Sequence, residues 1–184
     1  IKFNNDKFRT ERNKTFTVGS MGRLVEKKGF ENLINIFKNL RDINLIIAGD
    51  GPLYTKYKKL TKNDENIKLL GWIDDQDAFF SKIDIFVCSS TIEPFGIVIL
   101  EAMIRGIPVI SNNCSGPIDI LKNNHDGFLV DKQNIEELRK AIVLLKNNIK
   151  LRKRIAKNAL ATVKNKYSVN MYKKNLFLNI SDYL

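Results

Sequence analysis

Short apolar runs rich in β-branched and aromatic residues recur along the chain, separated by stretches whose apolar positions fall every three or four residues. The runs cover residues 15–21, 44–48, 67–70, 83–88, 107–111 and 128–130, each a strand's length. Residues 30–41, 53–61, 75–82, 96–105 and 117–122 lie between them and suit helices. The strands are almost continuously apolar instead of alternating, as happens when helices cover both faces of a parallel sheet. This predicts an α/β fold, a parallel sheet of about six strands with helices on both faces. Beyond Val130 the pattern is helical only, with expected helices over 135–146, 151–164 and 170–180, and Ser168 is placed to cap the last of them. Residues 1–14 are polar and without period, and read as a linker or edge segment that leaves 15–184 as one domain.

Composition narrows the picture. The chain has 184 residues, 43% hydrophobic and 28% charged, which excludes low-complexity disorder and collagen-like repeats. No apolar run approaches the roughly 18 residues of a membrane span. The chain opens on Ile1 and so reads as an excised piece. Two cysteines, Cys88 and Cys114, lack the paired spacing of a zinc site and read as reduced packing thiols in a cytosolic setting.

The net charge of +11 suggests nucleic acid until its distribution is read. Residues 138–181 hold twelve Lys or Arg and no acid, while the rest of the chain is close to neutral. Lys outnumbers Arg 23 to 8, which argues against base readout by arginine forks. The tail reads as a solvated basic helix face, or as a surface drawn to an anionic membrane or a phosphorylated partner.

Parallel α/β sheets place ligands at the carboxyl ends of their strands, and glycine-bearing turns follow the first four runs. In the first, Gly19-Ser20-Met21-Gly22-Arg23 leads towards Lys28, so two cations leave a loop whose backbone can approach a ligand closely. That composition suits a diphosphate clamp, and equally a strand-to-helix turn with two solvated cations. No Gly-Lys-Ser/Thr follows, which excludes a Walker A loop; Gly49-Asp50-Gly51-Pro52 lacks the third glycine of a dinucleotide fingerprint and reads as a tight turn.

The most informative segment runs from Ser89 through Glu93-Pro94-Phe95-Gly96 to Glu101. Free N–H groups at residues 96–98 make the start of that helix suitable for an anion. Helical side chains tilt towards the N-terminus, so Glu101 points back at the same place, where a ribose diol would suit its carboxylate. Glu93 suits sugar hydroxyls, a developing positive charge on a sugar ring, or simple electrostatic support of the helix N-terminus.

Gly22-Arg23-Leu24 with Lys28-Gly29, Ala48-Gly49-Asp50-Gly51-Pro52, Leu70-Gly71-Trp72, Glu93-Pro94-Phe95-Gly96 to Glu101, Gly106-Ile107-Pro108-Val109-Ile110 and Gly127-Phe128-Leu129-Val130 together resemble the C-terminal half of a retaining GT-B glycosyltransferase of family 4. The resemblance spans nearly the whole chain. It implies a Rossmann-like domain that binds a nucleotide-diphosphate sugar, most simply UDP-linked, without a metal or other cofactor. It implies that Arg23 and Lys28 hold the diphosphate, that Glu93 and the backbone of Phe95 and Gly96 hold the donor sugar, and that Ile97 meets the phosphate. Glu101 would hold the ribose, and Trp72 and Ile73 the base; Arg23, Lys28 and Glu93 would carry the catalysis. It further implies a cytoplasmic enzyme, peripheral at the inner face of a membrane, in polysaccharide or lipopolysaccharide synthesis, whose glycan or lipid-linked acceptor sits in a separate N-terminal domain. The chain alone is then expected to be inactive. Cys114-Ser115-Gly116-Pro117 replaces a paired glycine before proline and is similar to members that transfer hexose or N-acetylhexosamine. Arg105 stands where the family usually has a small residue, and reads as a surface contact.

Other residues carry less. Asp75-Gln76-Asp77 matches a metal motif of other glycosyltransferases but falls in a helical first turn, where acids are favoured anyway. His125 is the chain's only histidine and lies in a turn, so no Ser/His/Asp or Cys/His set can be assembled. Two other classes compete: a non-catalytic regulatory α/β module, for which Asp50 alone makes a poor phosphorylation pocket, and a nucleic-acid-binding module on the basic C-terminal helices, which lack interleaved aromatic residues.

Overall fold

A computed structural model of the chain describes residues 15–169 and 171. The expected linker over 1–14 and, apart from Met171, the expected helix over 170–180 lie outside the described residues. Six strands, β1 (Thr17–Met21), β2 (Asn44–Ala48), β3 (Ile67–Gly71), β4 (Ile85–Cys88), β5 (Val109–Asn112) and β6 (Phe128–Val130), form one all-parallel sheet in the order β3-β2-β1-β4-β5-β6. Seven helices accompany them among the described residues: α1 (Phe30–Lys38), α2 (Tyr54–Leu60), α3 (Gln76–Phe80), α4 (Ile97–Ile104), α5 (Ser115–Ile120), α6 (Ile135–Asn147) and α7 (Ile149–Lys166).

Alternate strand residues enter two separate cores. Leu45, Ile47, Ile85 and Val87 pack with α1, α2 and α6, whereas Ile46, Ala48, Phe86 and Cys88 pack with α3, α4, α5 and α7. Both faces of the inner strands β2 and β4 are therefore buried, which is why the period-2 pattern is hidden in sequence, whereas edge strand β3 exposes Lys68 and Leu70. Helix α1 buries Phe30, Leu33, Ile34 and Phe37, an i, i+3, i+4, i+7 stripe. Helix α4 buries five of its eight residues, because the sheet lies on one side and Ala159 and Val163 of α7 on the other. An acid in such a helix has nowhere to go except its exposed N-terminal rim.

Boundaries shift for local reasons. Helix α1 stops at Lys38, short of residue 41, where the Asn66 amide donates to the carbonyls of Phe37, Leu40 and Ile43 at 3.0, 3.2 and 3.2 Å. Helix α7 starts at Ile149, ahead of residue 151, because the Asn148 side chain caps it by accepting from Leu151 N at 2.9 Å. Helix α5 starts at Ser115, ahead of Pro117, whose missing N–H costs nothing in a first turn. Ser168 Oγ accepts from Met171 N at 3.3 Å, the cap expected there.

Candidate functional site

The strand order reverses between β1 and β4, and loops leaving these two strands diverge there, opening a crevice at their carboxyl ends. The loop after β1 is held from behind by the loop after β2. Gly22 N donates to Ala48 O at 3.0 Å, Leu24 N to Asp50 O at 2.9 Å, and Leu53 N to Leu24 O at 3.1 Å. A Cβ on Gly49 would stand 2.0 Å from Gly22 O, so this glycine serves backbone contact between two loops. The tight turn at 49–52 is thus a support for the first loop.

Beyond Gly22 the chain makes a short 3-10 turn, Glu26–Lys28, absent from the sequence expectation. It is fastened to the loop after β4: Ser89 Oγ donates to Lys28 O at 2.9 Å and Thr91 N to Lys27 O at 2.8 Å. That fastening brings the Lys28 ammonium onto the Glu93 carboxylate as an ion pair, with side-chain exposures of only 19% and 10%. Ser90 Oγ donates to the same Glu93 oxygen at 3.3 Å. Ser90 is buried, and its role was missed in sequence because a serine at a strand end carries no distinguishing signal. The Arg23 side chain is exposed and makes no hydrogen bond or ion pair with the described residues.

The segment from Glu93 to Gly96 is placed by α5. Gly116 N donates to Glu93 O at 2.8 Å, and a Cβ on Gly116 would lie 2.4 Å from Phe95 O. Gly96 then takes φ 94° and caps α4, leaving the backbone of Phe95 and the first N–H groups of the helix, including that of Ile97, at the rim. The side chains of Phe95 and Ile97 are exposed. Glu101, one turn in, has Oε2 buried with no hydrogen-bond partner among the described residues. Leaving such an atom unpaired costs about 1–3 kcal/mol, more for a charged group, so Oε2 is well placed to accept from a donor at the rim. Trp72 is exposed at the end of β3, its indole N–H donating to Asp74 Oδ1 at 2.9 Å, while Ile73 is half-buried against the second core.

The structure explains Arg105 as more than a surface contact. Its guanidinium bonds Asp77 Oδ1 at 2.8 and 2.7 Å, donates to Glu101 O at 2.8 Å, and stacks 4.7 Å from the Phe80 ring centroid. Helix α3 is thereby clamped to α4. Asp75 accepts from Ala78 N at 2.8 Å as the cap of α3, so both acids of Asp75-Gln76-Asp77 have structural partners. Among the described residues no three His, Cys, Asp or Glu side chains cluster as a metal site would need. His125 is exposed beside Asp126, which is buried and accepts from Lys122 N and Thr162 Oγ1, both at 2.7 Å. Cys88 and Cys114 are free and buried, and burial pushes both thiols up. A cavity of about 540 Å³ against Thr17, Asn44, Lys68 and Lys82 lies towards the amino ends of β1 to β3, away from this crevice.

The arrangement therefore gathers, among the described residues, one unpaired cation, one paired cation, two acids and a helix N-terminus at the carboxyl ends of β1 and β4. Comparison with known proteins identifies the family. Residues 2–162 match the family described as glycosyl transferases group 1. The chain is 35% identical over 154 residues to the lipopolysaccharide core biosynthesis glycosyltransferase LpsE of Rhizobium meliloti, covering 82% of this chain and 45% of LpsE. It is 33% identical over 172 residues to the capsular polysaccharide biosynthesis glycosyltransferase CapM of Staphylococcus aureus, covering 89% of this chain and 45% of CapM. The chain thus spans about half the length of these relatives. Its fold is similar to that of Anabaena HepE in complex with UDP, with TM-score 0.83 and 26% identity over 91% of this chain and 49% of HepE. With the motif order, the reversal between β1 and β4 and a match over nearly the whole chain in agreement, this protein belongs to the glycosyl transferases group 1 family.

Proposed function

We propose that the chain is the donor-binding half of a glycosyltransferase that moves a hexose or N-acetylhexosamine, with retention, from a UDP-linked donor to a glycan or lipid-linked acceptor. The observation that carries this reading is the buried, unpartnered Glu101 Oε2 in α4, the helix whose N-cap Gly96 lies three residues after Glu93 of the Lys28–Glu93 ion pair. A ribose hydroxyl supplies the donor that Glu101 lacks, Trp72 and Ile73 flank the base, and Arg23 and Lys28 meet the diphosphate. As the glycosidic bond breaks, negative charge grows on the leaving phosphate and positive charge on the sugar ring. Arg23, Lys28 and the N–H groups around Gly96 and Ile97 stabilise the former, and losing one preorganised donor of this kind typically costs about 10²–10³ in rate. Glu93, with the backbone at Phe95 and Gly96, takes the sugar hydroxyls. No step in this reading calls on a metal.

Supporting context comes from relatives: HepE is described with UDP and with UDP-glucose, and LpsE and CapM are described in lipopolysaccharide core and capsule synthesis. We place the chain in polysaccharide or lipopolysaccharide synthesis on the cytoplasmic side, with acceptor binding supplied by a second domain. No described helix is long and apolar enough to cross a membrane. In helix α7 the exposed Lys150, Lys153 and Lys157 share a face without an acid, a surface suited to peripheral contact with anionic lipid. Co-sedimentation with anionic vesicles at low salt tests that contact, and equal recovery with neutral vesicles removes it.

Calorimetric titration of the chain with UDP, GDP and ADP and their glucose conjugates tests the donor reading. Saturable binding of UDP or UDP-glucose is expected. Absence of binding by every nucleotide, or binding unchanged in Arg23→Ala and Lys28→Ala, rejects it.

A further inference from the structure

The Lys28–Glu93 ion pair joins two groups to which the donor reading gives separate work, and it closes them against each other. Glu93 is buried, its backbone pinned by Gly116, and the backbone around Lys28 is pinned by Ser89 and Thr91, so the two side chains start from fixed, adjacent anchors. Glu93 is also held by Ser90 Oγ, at 3.3 Å. A diphosphate entering here draws Lys28 away from Glu93, or makes it share. The acid is then left buried with a single remaining donor, and removing a partner from such a pair is strongly unfavourable.

The group attached to the diphosphate decides how far that loss is made good. A sugar ester brings hydroxyl donors that replace the lost ammonium. A bare nucleoside diphosphate brings none at that position, its ribose hydroxyls lying at the other end, and its terminal phosphate carries a second ionisation, with pKa near 6, that the ester lacks. The bare product therefore faces both an unpaired carboxylate and extra like-charge repulsion. We infer that Glu93, through its ion pair with Lys28, makes the site favour the sugar-bearing nucleotide over the nucleoside diphosphate that transfer leaves behind. Glu93 is in this view a specificity determinant and an aid to product release, beyond any contact with the sugar. The inference rests on the donor-site reading above.

The test is calorimetric titration of the full chain with UDP and with UDP-glucose, for wild type, Glu93→Gln and Ser90→Ala. Wild type is expected to bind UDP-glucose more tightly than UDP. In Glu93→Gln the affinity for UDP should rise about tenfold while that for UDP-glucose falls, collapsing the preference. Ser90→Ala keeps both charges but removes the other donor to Glu93, so UDP should weaken further, by about threefold, with the preference widened. This second variant moves in the opposite direction and retains its meaning should Glu93→Gln fail to fold. A Glu93→Gln protein whose UDP affinity is unchanged or lower makes Glu93 a sugar contact only and overturns the inference, while leaving the donor site standing. Wild-type binding of neither nucleotide rejects the donor site and this inference with it.

Discussion

Gly29→Ala should loosen the joint on which the site is built. Gly29 ends the 3-10 turn and starts α1 with φ 67°, a left-handed conformation that costs an L-residue about 1–2 kcal/mol. An added Cβ would lie 2.1 Å from Ser89 O, so the loop after β4 must shift or α1 must tilt. Overpacking of this kind costs about 1–3 kcal/mol. Ser89 O also accepts from the Asn112 amide at 2.7 Å, and displacing it loses a further ~0.5–1.5 kcal/mol. The total is about 2.5–6.5 kcal/mol, a large part of the ~5–15 kcal/mol that holds a domain together. At roughly 2–4 °C per kcal/mol for a chain of this length, the midpoint of thermal unfolding by circular dichroism should drop by about 5–25 °C. Gly22→Ala is the comparison, since its Cβ would come no closer than 3.7 Å to Lys28 Cε, and its loss should be smaller. A Gly29→Ala protein melting within about 2 °C of wild type would show that the two loops are not in contact, and the Lys28–Glu93 pairing would lose its explanation.

Three other perturbations probe separate parts of the molecule. Glu101→Gln should leave the melting temperature unchanged or slightly higher, because it removes an unpartnered buried charge, yet weaken UDP about tenfold; equal wild-type affinity for UDP and 2′-deoxy-UDP would refute the ribose assignment. Arg105→Ala gives up a largely exposed ion pair, worth about 0–1 kcal/mol, and stacking on Phe80 worth about 0.5–1 kcal/mol. A fall of a few degrees in melting temperature is expected, not rescued by Arg105→Lys, which lacks the fork that reaches both Asp77 and Glu101 O; full rescue would refute the clamp. Burial raises the Cys88 and Cys114 thiols, so the native state keeps protons that the unfolded chain releases above its ordinary thiol value of about 8.5. Stability should therefore fall as pH rises from 7 towards 9.5, read as a lower urea midpoint, and the slope should flatten in Cys88→Ala; a flat wild-type profile counts against the buried thiols.

The architecture was legible because its causes are local. Six apolar runs with helical spacing between them leave little choice but a parallel sheet covered on both faces, and the two cores divide those runs residue by residue. Glu101 was legible for a similar reason. An acid inside α4, otherwise lined with Ile99, Leu100, Ala102 and Met103, is out of place unless it meets something at the helix rim.

The pairings across the crevice were not legible, because they depend on which loops the strand order makes neighbours. Lys28 and Glu93 lie 65 residues apart and meet only because β4 pairs with β1 in the order β3-β2-β1-β4-β5-β6. Composition could assign each an ion or sugar to hold, but not reveal that each occupies the other. Arg105 shows the same limit in reverse: its partners Asp77 and Phe80 stand on α3, and the clamp exists because α3 and α4 share one face of the sheet. A charge read alone looks available for a ligand. Once the topology supplies its neighbour, the relevant quantity becomes the difference between what the ligand offers and what the neighbour already gives, and that difference is what lets a site distinguish its substrate from its product.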